Sequence, residues 1–111
     1  MFFDCPFACV IWSAIASRRR LHALQNWEAT VLQLMQLTGT KHSKRLTLLC
    51  WQSTIYFIWC GRNDRLHRAI FRSPELIIRG LDRLIRNRIQ SIRVENPRSS
   101  SAMMQDWLGS N

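Results

Sequence analysis

Fourteen arginines against two lysines are the residues of this chain best suited to chemistry with a partner. A guanidinium offers a planar fork of donors that grips phosphate bidentately and stacks on bases, whereas an ammonium acts as a point charge. Arginine-rich segments with nearby aromatics therefore suit a nucleic-acid backbone and its bases. The candidates are Arg62, Arg65 and Arg68, in Gly61-Arg62-Asn63-Asp64-Arg65-Leu66-His67-Arg68, and Arg79, Arg83, Arg86, Arg88 and Arg93 further along. A formal net charge of +9 and a pI near 11.0 also favour an acidic partner, RNA or DNA held without sequence preference. The competing reading is a positive face that acidic neighbours cover in a larger protein.

The other reactive residue types do not assemble into a catalytic pattern. There are seven carboxylates, and the one pair able to share a helix face, Glu75 and Asp82, would stand two turns apart, roughly 10 Å along the axis. They read as helix-surface acids. The sequence has no glycine-rich phosphate loop, no Gly-x-Ser-x-Gly elbow and no His-Glu-x-x-His pair. It also lacks the clustered acids with which a polymerase or nuclease holds divalent metals, so neither enzymatic activity nor a cofactor is expected. His22, His42 and His67 lie in basic surroundings and read as solvated surface residues. Cys5, Cys9, Cys50 and Cys60 lack the dense spacing of a secreted disulfide scaffold and fit reduced thiols in an intracellular protein of nucleus, cytoplasm or organelle. Cys5 and Cys9, four apart, can share a helix face, but a metal site needs two further ligands, which the spacing does not select.

Positioning the arginines falls to helices. Asp4 or Cys5 caps a first one that runs to about Ser17, with Pro6 in its first turn and Phe7, Val10, Ile11, Ala14 and Ile15 as its apolar stripe. Arg18 to Gln25 reads as a connection. Asn26 caps a second helix in which Trp27, Val31, Leu34 and Met35 recur at helical spacing, ended by Thr38-Gly39-Thr40. A third runs from near Ser43 to about Phe71, apolar almost all round between Leu46 and Trp59, as for a central helix covered on several sides. Trp12, Trp51 and Trp59 read as core, and Gly61 as a local weak point or bend. Ser73-Pro74-Glu75 is the clearest helix start: N-cap hydroxyl, proline in the first turn, acid near the positive end of the macrodipole. Ile78, Leu81, Ile85, Ile89 and Ile92 then step by three and four, with Arg79, Arg83 and Arg86 off the stripe and Arg93 flanking it.

The expected fold is thus all-α, a small bundle of about four helices without a sheet. It divides into a helical region over 1–95 and a flexible tail over 96–111, where Arg98-Ser99-Ser100-Ser101 and the short Met103 to Leu108 offer little to pack. A chain of 111 residues holds one domain and buries only about two-thirds of its unfolded surface, so its stability is expected to be marginal. Phe7 to Ala16 is apolar and ends in Ala14-Ile15-Ala16, like a signal-peptide cleavage site. The segment before it carries Asp4 and no Lys or Arg, and Arg18-Arg19-Arg20 follows it instead of leading, so secretion is not expected. Leu46 to Cys60 contains Gln52, Ser53 and Thr54 and falls short of the ~20 residues a membrane span needs, so no membrane is expected as a partner. Exposed apolar faces leave self-association or docking on another protein as the alternative.

Three segments in order carry a family resemblance. Phe2-Phe3-Asp4-Cys5-Pro6-Phe7-Ala8 followed by Ile11-Trp12 resembles the end of the zinc-binding domain that follows reverse transcriptase in plant LINE-type (non-LTR) retrotransposon polyproteins. Leu49 to Trp59 with Arg62-Asn63-Asp64-Arg65-Leu66-His67 is similar to the tryptophan-rich helix and Trp-x-x-Arg-Asn-x-Arg-x-His segment downstream of it, though Cys60 and Gly61 stand where polar or charged residues are commoner. The basic stretch Arg83 to Arg93 is similar to the arginine-rich helix that comes next. The resemblance implies a retrotransposon-derived C-terminal fragment that helps hold template or target nucleic acid, with the enzymatic domains upstream. Cys5 matches the last ligand of the family's zinc site. The histidine and cysteines that would complete the site precede the position where this chain starts, so no metal is expected to bind the chain alone.

Overall fold

Apolar periodicity and helix-start chemistry place five helices along the chain. They are α1 (Pro6–Arg18), α2 (Trp27–Met35), α3 (Lys41–Arg68), α4 (Pro74–Ile92) and α5 (Pro97–Gly109). The structure is a computed structural model that describes residues 6–23, 27–68 and 73–109, with the side chains of Pro6, Phe7, Trp27 and Arg65 left out. There is no strand among the described residues, so the fold is all-α as expected. The proposed caps at Asp4, Cys5 and Asn26, and the end of the third helix near Phe71, lie outside the described residues.

α4 forms for the reasons its sequence suggests. The Ser73 hydroxyl accepts a hydrogen bond from the Leu76 amide at 3.3 Å, Pro74 occupies the first turn, and Glu75 sits beside the positive helix end. Ile77, Leu81, Ile85 and Ile89 recur every fourth residue and are buried, while Ile78 and Ile92 are half-buried at the stripe's edge. Against this stripe pack α1, through Ala8, Ile11, Trp12 and Ile15, α3, through Leu46, Cys50, Trp51 and Ile58, and α5, through Met103 and Trp107. Each fully buried aliphatic side chain stabilises the fold by roughly 1.5–3 kcal/mol. Trp12 and Trp51 meet edge to face at 4.8 Å between ring centres.

The stretch 96–111, expected to be a flexible tail, contains α5 instead. Asn96-Pro97 repeats the start signal of Ser73-Pro74, and the Ser99 amide donates to Asn96 Oδ1 at 3.1 Å. Ser99, Ser100, Met103 and Trp107 then recur at helical spacing and are buried, with the Ser100 hydroxyl donating to the Ile89 carbonyl at 2.8 Å. The polarity of the serines conceals this stripe: their hydroxyls satisfy themselves on backbone and side-chain acceptors, so they can be buried at little cost. α5 is the fifth helix where about four were expected.

The remaining helix ends fall close to those expected, and the burial of α3 is what differs. α1 extends to Arg18 and closes with a Schellman-type turn, in which the Leu21 amide donates to the Ala16 carbonyl, the Arg20 amide to the Ser17 carbonyl, and Arg20 takes φ 60° where glycine is commonest. α3 begins at Lys41 on the Thr40 cap, whose hydroxyl accepts from the Ser43 amide, and continues as helix through Gly61. α3 is also not covered all round, since Leu48, Tyr56, Trp59 and Leu66 are exposed, Trp59 at 63%. Trp12 and Trp51 are core residues and Trp59 is not. α2 is peripheral, anchored by Thr30 and Leu34 and leaving Leu32 and Met35 exposed.

Candidate nucleic-acid interface

Not all of the arginine charge is available to a partner. Arg18 and Arg19, at the end of α1, turn inward. Arg18 donates to Asp82 Oδ1 and to the Trp107 carbonyl, each at 3.0 Å, and its guanidinium lies 3.5 Å above the Trp107 ring. Arg19 is buried; it donates to Thr47 Oγ1 at 3.1 Å, to the carbonyl and hydroxyl of Ser43 at 3.2 and 2.8 Å, and to Asp106 Oδ2 at 3.0 Å. The partners come from α3, α4 and α5, so these two side chains tie the end of α1 to the start of α3, the middle of α4 and the end of α5. Cys50 lies near this cluster. Burial pushes its thiol up to about 12 despite the nearby positive charges of Arg19 and Arg18, which makes it an inert core thiol.

Asp82 is the hinge between the inner and outer charge. Trp107 Nε1 also donates to its Oδ1 at 2.9 Å, and Arg86 approaches Oδ2 at 3.2 Å. Partial burial raises the Asp82 pKa, but the hydrogen bonds from Arg18 and Trp107 and the charges of Arg86 and Arg18 outweigh it and hold the carboxyl below its ordinary value. Asp82 is therefore a structural acid and not a bare helix-surface carboxylate. Because it is compensated twice, its charge does little to oppose an anion on the outer face of α4.

That outer face is an arginine ridge. Arg79, Arg83 and Arg86 step by four and three along α4, opposite the buried isoleucine and leucine stripe, and Arg93 at the C-cap, flanking the stripe, extends the row to a span of about 21 Å at 1.5 Å per residue. Arg79, Arg83 and Arg93 are exposed and make no ion pair among the described residues. Beside them runs an open groove of about 550 Å³ lined by Arg79, Asp82, Arg83, Arg86, Asn87 and Gln90. The amides of Asn87 and Gln90 are donors that the arginine pattern alone did not single out. Gln90 continues the polar register 79, 83, 86, 90, 93 without a break, while Asn87 lies outside it, next to Arg86 in sequence.

The eight arginines proposed from the sequence thus separate. Four make the α4 ridge. Arg88 is half-buried on another side of α4, where its charge reaches Tyr56 of α3. Arg62 is half-buried and already engaged within the fold, Arg68 is exposed at 4.0 Å from Asp64, and the side chain of Arg65 lies outside the described residues. Of the histidines, His22 and His67 are exposed as expected, whereas His42 is half-buried with Nδ1 at 3.0 Å from Ser99 Oγ.

Among the described residues, no three His, Cys, Asp or Glu side chains come together to hold a metal ion, and Cys5 lies outside them. No described helix is long and apolar enough to cross a membrane. No family model matches the chain, and neither a curated protein nor a solved structure matches it.

Proposed function

We propose that this chain is a non-catalytic, retrotransposon-derived fragment that binds RNA or DNA backbones weakly and without sequence preference. The observation that carries the binding reading is the arginine ridge of α4, where Arg79, Arg83 and Arg93, without an ion pair among the described residues, line one exposed helix face with the hydrophobic core behind them. A rigid helix holds the guanidiniums at fixed spacing, so little side-chain placement has to be ordered on binding beyond the arginine tips. Backbone contacts of this kind release counterions, and affinity must then fall as salt rises. Fluorescence anisotropy of a labelled duplex, titrated from low to moderate salt, tests this; an affinity indifferent to salt overturns it. The retroelement descent rests on the resemblance of three segments in order. Its test is the genomic DNA upstream of the coding sequence, where reverse-transcriptase sequence is expected and unrelated sequence argues against it.

Self-association is a second reading, favoured by the outward face of α3, where Leu48, Trp59 and Leu66 are exposed at helical spacing. A discrete oligomer in sedimentation, unchanged by nucleic acid, is its signature.

A further inference from the structure

A second cavity adjoins the arginine ridge, and its lining is of a different kind. Between α3 and α4 lies a cleft of about 540 Å³ bounded by Tyr56, Phe57, Asp64, Leu76, Ile77 and Gly80. That is within the roughly 300–1,000 Å³ of a small-molecule site. Tyr56 is half-exposed at 52%, its ring standing edge-on to Phe57 at 6.1 Å and 74°. The opposite wall is closed at Gly80, where the missing Cβ lets the Phe57 ring pack directly on α4; a Cβ there would stand 2.8 Å from that ring. A flat, largely apolar group can therefore meet the exposed Tyr56 ring beside a wall of Phe57, Leu76 and Ile77.

Charge decides what that group is. Among the described residues no Arg, Lys or His lines the cleft, and its one acid, Asp64, is only 16% exposed and stands 4.0 Å from the Arg68 guanidinium, so the lining offers a phosphate nothing to bind. Leu76 and Gly80 line the cleft, while Arg79 and Arg83, three residues further along from each, line the adjoining groove on the outer face. Neutral and flat inside, anionic outside, is the description of a nucleotide whose base is free to leave its stack.

We propose that the cleft between α3 and α4 takes an unpaired nucleobase stacked on Tyr56, with the flanking phosphates on Arg79 and Arg83. The protein then prefers single-stranded to double-stranded nucleic acid, because paired bases cannot turn outward without unstacking. This rests on the arginine ridge being the backbone-binding surface.

Tyr56 is the only tyrosine in the chain, so 3-fluorotyrosine labelling gives one ¹⁹F resonance at the cleft. Single-stranded RNA and DNA of about ten nucleotides and the duplex of the same sequence serve as probes, a length within the span of one single-strand site. The single strands are expected to shift the resonance and the duplex to leave it. Tyr56→Ala is expected to weaken single-strand binding roughly tenfold while sparing the duplex, and Tyr56→Phe, which keeps the ring, to retain it. Equal binding of both forms with an unmoved resonance overturns the base pocket and leaves the ridge standing. Failure of both forms to bind overturns ridge and pocket together. A resonance that responds only to protein concentration overturns the pocket and puts a second copy of the chain in the cleft.

Discussion

Arg18 and Arg19 end α1 beneath three other helices, whereas Arg79 and Arg83 stand on the far side of α4 with no ion pair among the described residues. The residue type is the same and the physical roles are opposed. An inward guanidinium is kept because acids, carbonyls and an aromatic face converge on it, and removing any of these leaves a buried charge short of partners. An outward guanidinium contributes little to the fold and leaves its donors for a partner. A high net charge therefore overstates the binding surface, since part of it is spent inside the fold.

Trp107 supplies the inner cluster with a ring, an indole donor to Asp82 and a carbonyl acceptor for Arg18. Trp107→Ala is expected to cost about 3–5 kcal/mol in chemical denaturation, a large part of the stability of a domain this size. Arg19→Met should lose about 2 kcal/mol; Asp106 is partly exposed and recovers solvent, while Ser43 and Thr47 lose their charged donor. Asp82 sharpens the comparison through pH. Its folded pKa lies below its unfolded value near 3.8, so the folded state binds fewer protons in acid, and its contribution is complete above that value and lost as pH falls through the folded pKa. Thermal unfolding measured from mildly acidic pH downward is expected to fall less steeply for Asp82→Asn than for the native chain. Arg20→Gly, which removes the Cβ penalty at φ 60°, should stabilise the fold by about 1 kcal/mol. Arg79→Gln with Arg83→Gln is expected to change stability by no more than about 0.5 kcal/mol, the mark of an outward pair.

Helices whose polarity pattern is simple are legible in the sequence. The start of α4 and its apolar register follow from Ser73-Pro74-Glu75 and the spacing of Leu81, Ile85 and Ile89. α5 was missed because its buried stripe begins with two serines, and hydroxyls read as solvent-facing until their acceptors are known. The ridge positions Arg79, Arg83 and Arg86 could be read from periodicity, since a helix with one apolar face places its remaining residues outside. Arg18 and Arg19 could not, because their acids lie 64 and 87 positions away, and no local spacing reveals which distant helix end will meet them. Trp59 erred in the other direction: its apolar neighbours imply burial, but the three helices that pack with α3 leave that side of it bare.

Under the proposed function, nucleic acid would meet the protein at the α4 ridge. The most direct measurement is the slope of log affinity against log salt for duplex binding, compared between the native chain and the Arg79→Gln, Arg83→Gln variant. Each lost phosphate contact lowers the slope by about one, so the variant is expected to bind more weakly with a slope smaller by about two. An unchanged affinity and slope in a variant that folds normally would contradict the account and move the binding surface elsewhere.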